Sequence, residues 1–377
     1  MNVVARTRDQ DECPGALQMH SAADGALARV RLPGGMIEPR QLQALTHAAS
    51  RFGSPAMELT SRGNIQIRGI RDDEAATSLA DAVANAGLLP SPTHERVRNI
   101  VASPLSGRVG GSADVREWVR RLDTAICAAP DLAALPGRFW FSIDDGRGDV
   151  SGLAADAGVQ VTGDSVALLL AGRDTGVRFT PADVVPALVS VAQRFLEIRG
   201  DAWRVAELAD PSALIDGLAR SAEPGATWPP AGRPPVGWIG QDDGRIALGA
   251  GAPLGVLQAR VAEYLAAIDA PMVITPWRSV LVCDLDEGVA DTALRVLAPF
   301  GLVFDEGSPW LDVSACTGSP GCEHSVADVR ADAARAVGDH STTHRHFVGC
   351  ERACGSPAAA DVLIATGEGY VLRTASP

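Results

Sequence analysis

The sequence contains no lysine. All 33 of its basic residues are arginine, and the accompanying excess of alanine and glycine points to codon bias as the origin. A chemical consequence stands whatever the origin. Arginine keeps its proton at any working pH and grips carboxylates in a fixed two-pronged fork, whereas lysine can donate a proton. A cationic site in this chain can bind anions well but cannot use the cation as an acid. Positive charge is also outweighed: the net charge of −13 argues against general nucleic-acid binding, which rests on neutralising phosphates. No apolar run is long enough to cross a bilayer, and the longest, around Val166–Ala171, is strand-sized. Met1–Gln10 lacks the apolar core of a secretory signal, so a cytoplasmic protein without a membrane partner is expected. No G-x-G-x-x-G dinucleotide fingerprint is present. Reducing equivalents would then come from a separate donor protein.

What is present begins with the cysteines. Cys316-Thr-Gly-Ser-Pro-Gly-Cys322 and Gly349-Cys350-Glu-Arg-Ala-Cys354-Gly-Ser-Pro357 give a C-x5-C pair and a C-x3-C pair, separated by 27 residues. Both pairs sit among Gly, Ser and Pro, so the thiols are expected on loops. In a reducing compartment such cysteines read as metal ligands rather than disulfides, and four thiolates are the ligand count of a [4Fe–4S] cluster. A four-Cys zinc site is the competing reading. Zinc knuckles favour gaps of two to four residues, which suits the Gly-Ser-Pro-Gly gap poorly. Cys13, Cys127 and Cys283 have no partner at ligand spacing, and the last two are expected as packed thiols on regular elements.

The 377 residues, 46% hydrophobic and 21% charged, have room for two or three globular domains. Residues 1–24 read as a polar lead-in. A strand over Ala26–Leu32, a helix over Glu38–Phe52, an alternating strand over Met57–Ile70 and a helix over Asp73–Ala86 make a β-α-β-α half of the ferredoxin-like kind. The pattern returns 215 residues later, with Gly34 matching Gly249, Leu42 matching Leu257, Ala44 matching Ala259 and Thr60 matching Thr275. A helix Leu254–Ile268 and a strand Met272–Leu285, containing Thr275-Pro-Trp-Arg-Ser279, make the second copy. Between the copies are expected an extended segment Arg96–Pro104, a helix Asp114–Ala129, a strand Leu135–Asp144 carrying Arg138, a hairpin over Val159–Ala171 and a helix Ala182–Gly200. Glu223–Gly240, with five prolines and two tryptophans, reads as a linker. A helix His324–Val337, a strand Asp361–Ala365 and a hairpin through Gly367–Gly369 close the chain. The expected segments are 25–88, the first half-domain; 89–222, an α/β domain; 223–240, the linker; 241–303, the second half-domain; and 304–377, a short cysteine-bearing α/β domain.

Arg62, Arg96, Arg98, Arg138 and Arg278 each lie on or beside an extended segment. Any one of them alone reads as a solvated strand end. Several from separate strands read as a convergent site for a polyanion. His344 and His346 are expected as solvated loop residues, with metal ligation as the alternative.

With Thr60-Ser-Arg-Gly-Asn-Ile-Gln66, Arg98-Asn99, Leu135-Pro-Gly-Arg-Phe139 and the four cysteines in place, most of the chain resembles the sulfite/nitrite reductase superfamily. The resemblance implies an α+β, pseudo-twofold structure of duplicated ferredoxin-like halves around a tetrapyrrole. It implies that Cys316, Cys322, Cys350 and Cys354 hold a [4Fe–4S] cluster, with Cys354 nearest the tetrapyrrole. It also implies that Arg62 and Arg98 contact the macrocycle or its substrate. Sulfite reductases carry Lys-x-Lys where this chain has Arg138-Phe139-Trp140, and those lysines bind a small anion and feed protons. Arg138 is a poor proton donor, and Trp140 offers an apolar face instead.

That departure, with Thr275-Pro-Trp-Arg-Ser279, makes the closest resemblance the precorrin-3B synthase branch, which acts in aerobic cobalamin biosynthesis. The branch implies an O₂-dependent monooxygenation of precorrin-3A, with C20 hydroxylation and lactone formation by the ring A acetate. The tetrapyrrole is then substrate, held through its carboxylates by Arg62, Arg96, Arg98, Arg138 and Arg278, with Asn64, Gln66 and Trp140 beside them. Arg62, Arg98 and Arg138 are the candidate catalytic residues. The branch is also associated with a mononuclear non-haem iron, for which the sequence shows no two-His-one-carboxylate set. Electrons would come from an NADH-linked reductase or a ferredoxin. Sirohaem belongs to the alternative reading, an assimilatory sulfite or nitrite reductase. A non-enzymatic Fe–S electron carrier is the second alternative.

Overall fold

A computed structural model describes residues 11, 13–339, 341, 343–357 and 360–373. The first ten residues of the expected lead-in and the last four of the closing segment lie outside them. The chain divides into two compact units. One comprises the chain up to Gly15, Arg31–Gly34 and Pro90–Ala231; the other comprises Ala16–Val30, Gly35–Leu89 and Gly232 onward.

The second unit carries both copies of the repeat, apart from Arg31–Gly34 of the first. The first copy runs through strand Gly25–Val30, a 3-10 turn Pro33–Gly35, a short strand Met36–Ile37, helix Pro39–Phe52, strands Ala56–Leu59 and Ile65–Ile70, and helix Asp73–Asn85. The second copy repeats this with Ile246–Gly251, Pro253–Gly255, Val256–Gln258, Ala259–Ala267, Met272–Ile274, Ser279–Leu285 and Glu287–Leu297. Local chemistry sets the helix ends. Pro39 opens its helix behind a Glu38–Gln41 capping box, and Asp72 caps the next by accepting from the Ala75 N–H at 2.8 Å. Leu42, Leu45, Ala48 and Ala49 form the buried stripe of the first helix.

The copies exchange their short strands. Val256–Gln258 pairs antiparallel with Ala56–Leu59 at the edge of the first copy's sheet, and Met36–Ile37 pairs with Met272–Ile274 at the edge of the second. Two expectations are corrected here. The second-copy helix begins at Ala259 rather than Leu254, because the preceding residues turn and then join the other sheet. Each long alternating segment is also two strands around a tight turn, Thr60–Asn64 in one copy and Thr275–Ser279 in the other. The lead-in likewise contributes an edge strand, His20–Ala22, and the expected linker ends in strand Gly237–Gly240.

The second unit closes with a four-stranded sheet. Val313–Ala315, Arg345–Val348 and Asp361–Thr366 run parallel, and Gly369–Arg373 returns antiparallel. Its small core is Val313, Ala315, Val329, Ala333, Phe347 and Ala365. The expected helix over His324–Val337 shortens to Val329–Arg335, since the residues after Cys322 are needed as loop.

In the first unit, strands Ile100–Ala102, Phe141–Asp144, Ala157–Thr162, Ser165–Leu170 and Arg173–Phe179 form one mixed sheet in that order, with helices Arg116–Ala128 and Val184–Ile198 packed on it. The expected strand Leu135–Asp144 begins only at Phe141. The residues before it turn sharply, Phe139 N–H bonding to Pro136 O at 2.9 Å, and bury Phe139 against Phe195 with ring centroids 4.9 Å apart.

Candidate metal centre and its surroundings

The four cysteines lie on two loops that hold each other. Cys316 follows strand Val313–Ala315, and its sulfur accepts from the Gly349 N–H at 3.3 Å. The Val326 N–H bonds to Gly349 O at 3.1 Å, which ties the loop after Cys322 to the residue before Cys350. Gly349 is required there, because a Cβ would stand 1.8 Å from Ser325 Oγ. Burial and the neighbouring Cys322 and Cys350 thiols push the Cys316 thiol up, against the pull of the Gly349 and Gly318 N–H groups. Cys354 is exposed as a residue. Protein crowded around its thiol, and then the field of Cys316, Cys350 and Cys322, still raise its pKa. Cys354 thus feels the other three cysteines and Cys316 feels Cys322 and Cys350, a repulsion between thiolates that a bound cation relieves.

Three side chains outside the cysteine segments reach these loops. Arg68, on strand Ile65–Ile70, pairs through two nitrogens with Asp24 at 2.8–2.9 Å and donates to Gly321 O at 2.6 Å, immediately before Cys322. Arg278 donates to Gly355 O at 2.7 Å, immediately after Cys354. Loss of hydration moves its pKa down to about 10, with Arg330 adding to the fall and Glu58 and Cys316 opposing it. His346, fully buried on the strand Arg345–Val348, meets Cys354 O through Nε2 at 3.0 Å and Ser314 Oγ through Nδ1 at 2.7 Å. Because Nε2 faces a carbonyl it carries the proton, which leaves Nδ1 as the acceptor nitrogen. His344 Nε2 meets the same Ser314 Oγ at 2.7 Å, and its Nδ1 meets Leu311 O at 3.1 Å. Burial lowers both imidazoles, His346 to about 3. The expectation of solvated histidines is thus corrected. His346, on the strand Arg345–Val348, and His344, in the loop just before it, are both held beside Ser314 with a ring nitrogen facing a backbone carbonyl.

The other singled-out residues are held as follows. Asn64 and Gln66 are buried in the second unit; Gln66 accepts from Arg29 at 2.8 Å and donates to Glu58 at 2.8 Å, and Glu58 also pairs with Arg330. Arg62 sits in the Thr60–Asn64 turn, its N–H 3.4 Å from Thr60 Oγ1. Trp277 occupies the matching place in Thr275–Ser279, with its N–H 3.3 Å from Thr275 Oγ1. In the first unit Arg98 is buried and grips Asp123 with two nitrogens, at 2.6 and 2.8 Å. Arg96 donates to Asp11 O at 3.0 Å, and Arg138 lies over Trp203 at 5.1 Å. Trp140 is 5% exposed, its N–H bonded to Asp156 at 3.1 Å. Asn99 joins two of the quoted motifs, its Nδ2 reaching Gly137 O at 2.9 Å and Phe139 O at 3.2 Å. Cys127 is half-buried on its helix and Cys283 buried on its strand. Arg68 and Ser314 carried no signal of their own in the sequence. Only Ser314's place two residues before Cys316 could have drawn attention.

Residues 20–84 match the family described as the nitrite/sulfite reductase ferredoxin-like half domain. A precorrin-3B synthase of Sinorhizobium sp is 28% identical over 96% of this chain and 82% of its own length. A ferredoxin–nitrite reductase of Synechococcus elongatus is 30% identical over 32% of this chain and 25% of its own. The structure of the Mycobacterium tuberculosis NirA protein superposes with a TM-score of 0.76 at 19% identity, covering 92% of this chain and 73% of that one. By its half-domain, by its relative along 96% of the chain and by its shared fold, the chain is similar to proteins of the sulfite/nitrite reductase superfamily.

Proposed function

We propose that this oxidoreductase is a precorrin-3B synthase, using a [4Fe–4S] cluster and O₂ to hydroxylate C20 of precorrin-3A as the ring A acetate closes a lactone. One observation carries the reading. Similarity to a precorrin-3B synthase spans 96% of the chain, whereas similarity to the nitrite reductase of Synechococcus spans 32%. Cys316, Cys322, Cys350 and Cys354 would hold the cluster, which supplies single electrons when bound. Four thiols spaced C-x5-C and C-x3-C in two Gly-Ser-Pro loops suit a cluster better than the short knuckles of zinc sites.

The acetate and propionate groups fringing the macrocycle are what arginine forks bind two-pronged. Arg62, Arg96, Arg98, Arg138 and Arg278, with Asn64, Gln66 and Trp140, are proposed for that contact, and Arg98 would share its fork with Asp123. With no lysine in the chain, these cations anchor carboxylates without feeding protons. A ferredoxin or an NADH-linked reductase is the proposed donor.

The test is anaerobic incubation of the cluster-loaded protein with precorrin-3A and reductant, followed by O₂. A product that gains one oxygen atom only after O₂ is admitted supports the proposal. A sirohaem reductase is the second reading, favoured by the NirA-like fold. A tightly bound Soret-absorbing tetrapyrrole with sulfite- or nitrite-reducing activity would replace the synthase reading with it.

A further inference from the structure

The main chain around Cys354 is strained and held at two adjacent carbonyls. Ala353 has φ 48° and Gly355 φ 77°, so the thiol is presented from between two left-handed residues, and only the second has no Cβ to oppose that conformation. His346 Nε2 holds Cys354 O at 3.0 Å and Arg278 holds Gly355 O at 2.7 Å. The two donors arrive from different elements, the buried second strand of the closing sheet and the Thr275–Ser279 turn of the second repeat.

The repeat shows that the arginine is an elaboration of that turn. In the first copy Thr60 N–H bonds to Asn64 O at 2.9 Å and the left-handed position is Gly63, φ 66°. In the second, Thr275 N–H bonds to Ser279 O at 2.9 Å and the left-handed position is Arg278, φ 58°. An arginine there costs roughly 1 kcal/mol or more that a glycine does not. Space is cleared for it as well: a Cβ on Gly255 would lie 2.6 Å from Arg278 Cδ. A strained residue with a cleared path ends on the carbonyl beside the fourth cysteine.

We infer that Arg278 and His346 are positioning residues that clamp the backbone on both sides of Cys354, and so set the geometry and charge environment of the fourth thiolate ligand. The inference rests on the cluster reading proposed above. Ser314 Oγ lies 2.7 Å from His346 Nδ1, on the side of the ring opposite the Nε2 that faces Cys354 O.

Arg278→Gly, which installs the first copy's residue, and His346→Leu are compared with His346→Gln, whose amide can still donate. The readouts are iron and acid-labile sulfide, the rate of cluster loss to a chelator, the reduction potential by EPR-monitored titration, and chemical unfolding of each variant. Arg278→Gly is expected to unfold no more readily than wild type, since it relieves strain. It should lose its cluster about 10–100-fold faster, as removal of a partner behind a metal ligand does, with a more negative potential because a cation has gone. His346→Leu is expected to lose the cluster similarly, and His346→Gln to stay within a few-fold of wild type. Arg278→Gly with wild-type cluster lifetime and potential overturns the clamp, and that variant decides alone if His346→Leu does not fold. Wild-type protein carrying zinc and no acid-labile sulfide overturns the cluster reading itself, and the clamp with it.

Discussion

At the scale of single residues, the cysteines separate cleanly by what surrounds them. Cys354 shares a field with three other thiols, whereas burial and Asp123 alone push the Cys127 thiol up, against Arg98. Cys354→Ser should abolish the cluster and the activity, and Cys127→Ser should leave both intact, as read by iron content and turnover. Cluster loss in Cys127→Ser would show that the ligand set is misassigned. A second residue-scale outcome concerns Asp149. Asp144, Asp145 and Asp149 bring carboxylate oxygens within 4.8 Å of one another. The cluster is internally organised: Asp144 accepts from the N–H groups of Gly146, Gly148, Val150 and Ser151, and Asp145 pairs with Arg147. Burial and the Asp144 charge push Asp149 up to about 7, against a hydrogen bond from Ser103. The folded chain keeps this proton to about pH 7 and the unfolded chain releases it near pH 4, so stability falls as pH rises between those values. Asp149→Asn should flatten that slope and gain on the order of 2 kcal/mol at pH 8 in urea unfolding. An unchanged slope would remove Asp149 as its source. The cysteine spacing was legible in the sequence because it is a property of the chain itself. The burial of His346 was not, because it depends on which strands lie on either side of it, and neither Val313–Ala315 nor Arg345–Val348 shows enough periodicity over its short length to be read as a strand.

At the scale of elements, the duplication was legible and its register was half right. The 215-residue offset holds from Thr60 and Thr275 onward, where both turns make the same hydrogen bonds. Upstream the equivalent pieces are 220 residues apart: Pro33–Gly35 corresponds to Pro253–Gly255, and Gly35 and Gly255 share φ values of 70° and 74°. The difference is a helix shortened from 14 residues to 9. Apolar residues at helical spacing match under either offset, so Leu42 paired with Leu257 looked as plausible as its structural counterpart, Ala262. The strand exchange was invisible for a different reason. It is defined by which sheet an edge strand joins, and two or three residues carry no such preference. The exchange does leave a physical trace in the glycines beside it. A Cβ on Gly35 would stand 1.9 Å from Ile274 O, and one on Gly255 3.2 Å from Leu59 O. Each copy's glycine thus lies against the end of the other copy's strand. Gly35→Ala should cost about 3 kcal/mol or more, combining left-handed strain with a backbone clash. Gly87→Ala, also at positive φ but with nothing within 4 Å, should cost about 1 kcal/mol. Equal losses in denaturant melts would mean that the exchanged strands impose no close approach.

For the molecule as a whole, the relevant contrast is between a unit with the four proposed ligands and a unit without them. All four cysteines lie in the unit formed by Ala16–Val30, Gly35–Leu89 and Gly232 onward. There they project from a closing sheet whose core is six residues, three of them alanines. So small a core buries little apolar area, and binding energy at the ligands then becomes folding energy for the elements that carry them. The sheet of the other unit buries Val159, Val161, Leu168, Leu169 and Phe141 and carries none of the four cysteines. Stripping the metal anaerobically with a chelator should therefore raise amide hydrogen exchange over 313–373 by about 10-fold or more, the size expected when opening is eased by ~1.4 kcal/mol. The strands Ile100–Ala102 and Phe141–Phe179 should keep their protection. Exchange that rises equally in both units would mean that the metal stabilises the chain globally, and exchange that changes in neither would mean that the closing sheet folds on its own core.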